Sequence, residues 1–160
     1  MNLRKLWTKV PIISFTVDGK PPRKSSWGDD NDLILKLRQA ALKARNQEGL
    51  SDCFHGPVKL TLTMFSPNVA NMKYKQTGDD DPKKYVGDLD SFVAGVCESL
   101  QPAPKNFDRK MSKIFDGHDD VGPDVPLIVD DDCQVVKVDA RKITNEKIFY
   151  MVKIEPADIE

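Results

Sequence analysis

Two acidic clusters are the residues of this chain best suited to chemistry: Asp88-Leu89-Asp90 and Asp130-Asp131-Asp132. Asp88 and Asp90 stand two apart, so in an extended lead-in their side chains point the same way. If the second cluster folds against the first, three carboxylates converge. Like charges crowded at one point shift each other's pKa or recruit a cation. Carboxylate oxygens suit a hard divalent ion, magnesium or manganese. Each cluster also has a plain structural reading. Asp88, Asp90 or Ser91 can cap a helix, where the dipole favours negative charge. Asp130 to Asp132 can form a turn before a strand.

The elements that must position these residues follow from periodicity. After the first cluster, Leu89, Phe92, Val93, Val96, Cys97 and Leu100 fall on one stripe at helical spacing, to about Leu100. After the second, Gln134 to Asp139 reads as a strand. Upstream, residues 11 to 18 alternate with Ile13, Phe15 and Val17 on one face, which predicts a first strand. The loop from Gly19 to Ser26 holds Lys20, Pro21, Pro22, Arg23 and Lys24; its prolines exclude a helix and expose basic charge. Asp29, Asp30, Asn31 and Asp32 are candidate caps for a helix from about 31 to 47, with Leu33, Ile34, Leu37, Ala41 and Ala44 on its stripe. Residues 57 to 65 form a second strand with Val58, Leu60, Leu62 and Met64 inward. Pro67 to Lys84 is a polar connection carrying Asp79 to Asp81 and the pair Lys83-Lys84. Residues 101 to 126, rich in Pro, Gly, Asp and Lys, read as an insertion or a flexible loop, long enough to serve as a flap. A last strand carries Ile148, Tyr150, Val152 and Ile154 on one face and Phe149 and Met151 on the other, so it is either central or at a subunit contact. The order β-α-β-α-β-β predicts an α+β, two-layer fold, a mixed four-stranded sheet with two helices on one face.

At 160 residues the chain is read as a single domain, residues 1 to 160. Its net charge of -1 and pI near 6.1 lack the basic excess common among nucleic-acid binders. The average hides an asymmetry, because residues 1 to 45 are rich in Lys and Arg while most of the acid lies from Asp79 onward. A basic half facing an acidic centre suits a phosphate-handling metalloenzyme; ordinary solvated surface reads the same way from charge alone. Cys53, Cys97 and Cys133 have no paired spacing, which fits a reducing compartment. No apolar leader or membrane-length stretch is seen, so a soluble, cytoplasmic protein is expected, without a membrane partner. His55 and His118 lack Cys or His partners at zinc-ligand spacing, so no zinc site is expected. Asp116 to Asp120 lacks the acid spacing of an EF-hand and reads as a solvated turn.

Three motifs together resemble the RusA-type Holliday junction resolvases, over roughly Ile12 to Ile154. They are a strand followed by Gly19-Lys20-Pro21 with Lys24, Asp88-Leu89-Asp90 at the head of a helix, and Asp131-Asp132-Cys133-Gln134-Val135. The resemblance implies a RusA-like fold and a homodimer that nicks four-way DNA junctions in recombination and repair, using Mg2+, or alternatively Mn2+. It implies Asp88, Asp90 and Asp132 as catalytic metal ligands. Lys20, Arg23, Lys24, Lys83 and Lys84 would then hold the DNA backbone, leaving recognition to branched shape. The chain departs from the family in two places. Ser91 and Ala94 stand where the family has Asn and a catalytic lysine. Lys83, Lys84, Lys137 or Lys142 is a possible substitute; otherwise the protein binds branched DNA without cutting it, or keeps only the fold as a small interaction protein. The second departure is the long 101 to 126 segment, to which the family gives no role.

Overall fold

The computed structural model describes residues 10–25, 27–70, 86–108, 110 and 112–158. Strand β1 (Ile13–Asp18), helix α1 (Asn31–Gln47), β2 (Val58–Ser66), helix α2 (Leu89–Leu100), β3 (Val135–Thr144) and β4 (Phe149–Pro156) follow in that order. Among the described residues the chain is an α+β protein with a four-stranded mixed sheet and two α-helices. Strand order is β1-β4-β2-β3. β4 runs antiparallel to both β1 and β2, while β2 and β3 are parallel. A parallel neighbour needs a long crossover. Here that crossover contains α2 and the segment from 101 to 134.

Period-two alternation sets the inner face. Ile13, Phe15 and Val17, then Val58, Leu60, Leu62 and Met64, then Tyr150, Val152 and Ile154 are all buried. They meet Leu37, Ala41 and Ala44 of α1 and Phe92, Val96 and Leu100 of α2 in one core. Each large apolar side chain buried this way contributes about 1.5–3 kcal/mol. β4 is the strand with apolar residues on both faces, and it occupies a central position. On the open face Phe65 and Phe149 stack with ring centroids 4.3 Å apart, beside the exposed Met151.

The segment 101 to 126 is pinned, in its described residues, by one side chain of α1. Arg38 is fully buried on the face that α1 turns inward. Its five N–H donors reach the carbonyls of Ser99, Gln101, Val121, Gly122 and Val125 at 2.6 to 3.1 Å. Burial pulls its pKa down to about 10, which leaves it a cation at neutral pH. Trp27 lies against Arg38 and packs on Phe107 and Phe115. With Phe107, Phe115 and Val121 buried, the segment adds to the core rather than hanging from it. No helix among the described residues is long and apolar enough to cross a membrane.

Candidate functional site

α2 begins at the first acidic cluster. Gly87, at φ 132°, turns the chain into it; any Cβ there would sit 3.0 Å from the Phe92 ring. Asp88 is the N-cap residue with extended backbone, yet its side chain makes no capping hydrogen bond. Asp90 lies in the first turn and its carboxylate accepts from the Ser91 N–H at 2.9 Å. Both acids are exposed. Asp88 is therefore not the side-chain cap that its position allows.

Lys142 reaches the same end of α2 from β3. It pairs with Met64 in the β2 register, which puts it on the sheet face that the helices cover. Its ammonium donates to the carbonyls of Gly87 at 2.5 Å and Val69 at 2.9 Å. Burial draws its pKa down while Asp88 and Asp90 draw it back up. Ala94 stands one turn beyond Asp90 and offers no such charge.

The basic loop crosses α2 directly. The Lys24 N–H donates to Ser91 Oγ at 3.2 Å, the Ser25 N–H to Glu98 at 2.8 Å, and Trp27 Nε1 to the Glu98 carbonyl at 3.0 Å. Beneath the crossing lies Gly95, where a Cβ would stand 2.5 Å from the Pro22 carbonyl carbon and 2.6 Å from that of Arg23. Only glycine admits so close an approach. Lys20 and Lys24 are exposed. Arg23 is tied to Asp30, whose carboxylate also accepts from the Arg23 N–H, and the pairing raises the arginine pKa. Lys83 and Lys84, expected to share the DNA backbone, lie outside the described residues.

Asp132 sits at the opposite end of α2. Its N–H donates to Gln101 Oε1 at 2.6 Å, just past the last turn. Its negative charge helps push the Cys97 thiol up, mainly by burial, to about 12. Cys97 is seven residues beyond Asp90, about 10 Å along a helix axis. Asp132 borders a cleft of about 370 Å³ with Ser25, Trp27, Glu98, Gln101 and Asn106. Burial and a hydrogen bond with Asp131 raise its own pKa. The neighbouring motif has a structural task. Asp131 accepts from the Cys133 N–H, Gln134 Oε1 accepts from the N–H groups of Asp130 and Asp131, and Gln134 Nε2 donates to the carbonyls of Phe54 and Gly56. This capping box explains Asp-Asp-x-Gln without chemistry. The convergence expected of Asp88, Asp90 and Asp132 is thus not what the single chain builds: the first two share one end of the helix, and the third lies at the other.

Sequence reading missed a second cluster. His55, which looked isolated, has Nε2 2.9 Å from Asp52 and Nδ1 2.7 Å from Asp130. The Cys53 thiol approaches Asp130 at 3.5 Å. Among the described residues, Asp52, Cys53 and His55 are the group whose ligand atoms all lie within 4.8 Å of one another. The run Asp52-Cys53-Phe54-His55 was the available signal, but the partner Asp130 is distant in sequence. No protein-family model matches the chain, and no curated protein matches it by sequence.

Proposed function

We propose that the chain is a RusA-like, metal-dependent endodeoxyribonuclease that nicks four-way DNA junctions inside the cell, with its active site at the N-terminal end of α2. The observation that carries this reading is the crossing of the basic loop over the helix that bears Asp88 and Asp90, with Lys142 at the same end. Asp88 and Asp90 would hold the ion, since magnesium is commonly held by one or two carboxylates together with substrate phosphates. Bound there, it would supply Lewis acidity to the scissile phosphate and a water of lowered pKa.

The side chains of this protein do the rest. Lys20 and Lys24 hold the phosphate backbone, a contact that positions DNA without reading its sequence. Lys142 stands in for the lysine replaced by Ala94 and stabilises charge developing on the phosphate or the leaving oxygen. Asp132, at the other end of α2, has no direct part in this pocket. A homodimer fits the two equivalent strands of a symmetric junction, and the apolar stack of Phe65 and Phe149 on the open sheet face is a surface that a second copy would cover.

A second reading, branched-DNA binding without cleavage, draws on the separation of Asp132 and on Lys142 partly neutralising the two acids. A synthetic four-way junction distinguishes them. Magnesium-dependent nicking that Asp90→Asn abolishes while binding persists supports the nuclease. Binding with no nicking supports the second reading, and neither binding nor nicking overturns both.

A further inference from the structure

We propose that Asp52, Cys53 and His55 form a binding site for a borderline-soft divalent metal, zinc or a similar transition ion, with Asp130 as its outer carboxylate. The site is separate from the acids of α2 and does not depend on the DNA reading. Thiolate, imidazole and carboxylate together are a donor set for zinc, and three protein ligands leave a fourth position for water.

The donors are held in place before any metal arrives. Asp52 is fixed by accepting from the Cys53 N–H at 2.8 Å through one oxygen while its other oxygen meets His55. Cys53 is only 6% exposed, so its sulfur is directed by the fold rather than left to wander. The backbone between them is anchored from the opposite side, where the Phe54 N–H donates to the Ile128 carbonyl at 2.8 Å and Gln134 clasps the carbonyls of Phe54 and Gly56. Asp52 and Asp130 lie on opposite nitrogens of one imidazole. One carboxylate can therefore ligate beside His55 while the other accepts from the remaining ring N–H. That is the arrangement by which a carboxylate fixes the tautomer and orientation of a metal-bound histidine.

Charge argues the same way. Two carboxylates flank one imidazole ring, and a thiol points at one of the same carboxylates. A dication would displace the Cys53 thiol proton to solvent and bring thiolate, imidazole and carboxylate to a common centre. Bound metal would clamp the 52–55 loop to the loop running from Asp130 to Gln134.

Cobalt(II), as the metal alone, is the probe because its thiolate complexes absorb by charge transfer. Titrated into the purified full chain, it should give that band at one equivalent, and zinc should displace it. Cys53→Ser and His55→Ala should abolish the band, Asp130→Asn should weaken binding about 10–100-fold, and Cys133→Ala and Asp90→Asn should leave it intact. His55 is exposed, so its variant tests the site without disturbing the core. Absence of the band in the wild-type chain, or its survival in both Cys53→Ser and His55→Ala, overturns the assignment.

Discussion

Replacing Gly95 by alanine tests the crossing of the basic loop over α2. In an ordinary helix this change stabilises by about 1 kcal/mol, because glycine is the poorer helix former. Here the new Cβ would stand 2.5 and 2.6 Å from the backbone carbons of Pro22 and Arg23. Backbone cannot swing aside as a flexible side chain can, so the loop must lift. Lifting it breaks the hydrogen bonds of Lys24 to Ser91, Ser25 to Glu98 and Trp27 to the Glu98 carbonyl. At about 1 kcal/mol net for each, their loss outweighs the propensity gain, and Gly95→Ala should be less stable by about 2 kcal/mol. For a chain of this size that lowers the thermal midpoint by roughly 4–8 °C, read by circular dichroism. The same variant should bind a four-way junction more weakly, because Lys24 loses its seat. A midpoint that stays put or rises by a few degrees would show that the loop does not lie on Gly95.

Lys142→Met keeps the length of the side chain and removes its charge; nicking should fall by about 10²-fold or more while gel-shift affinity changes little, and equal nicking rates would remove Lys142 from the site. Arg38→Met leaves several buried carbonyls without donors at about 1–3 kcal/mol each, so urea unfolding should show a loss of at least about 3 kcal/mol, and Arg38→Lys, with fewer donors and no fork, should restore little of it. Cys97 gives a pH signature. Its thiol, ordinarily near 9.0, is pushed up to about 12 in the folded chain, so the unfolded state ionises first and stability falls as pH rises from 9 toward 12. The expected loss attributable to Cys97 between pH 8 and pH 10 is about 1.4 kcal/mol. It is measured as the difference in slope between the wild-type chain and Cys97→Ala, and parallel slopes would refute it.

Most of the architecture was legible because periodicity is local. α1, α2, β1, β2 and β4 fall within two residues of where the apolar spacing put them, and β4, whose two apolar faces left it either central or at a subunit contact, lies inside the sheet. β3 runs on through Thr144, further than the apolar pattern showed, because Asp139, Arg141 and Lys142 give an edge strand a polar character. What the pattern could not give is contact between distant segments. Arg38 is buried because carbonyls sixty to ninety residues away receive all its donors. For the same reason the 101 to 126 segment reads in sequence as an insertion or a flexible loop, while its described residues are tied to α1 by Arg38. His55 looked alone because Asp130 is separated from it by 75 residues. The family resemblance implies Asp132 as a third ligand, but spacing along the chain does not say which end of α2 its loop will meet.

Manganese soaked into crystals of the chain bound to a junction, and located by its anomalous scattering, reads the proposed site most directly. The expected result is a peak between the carboxylates of Asp88 and Asp90, within reach of a DNA phosphate and beside Lys142. A peak held by Asp132 alone, or no peak at the head of α2 with DNA in place, would contradict it.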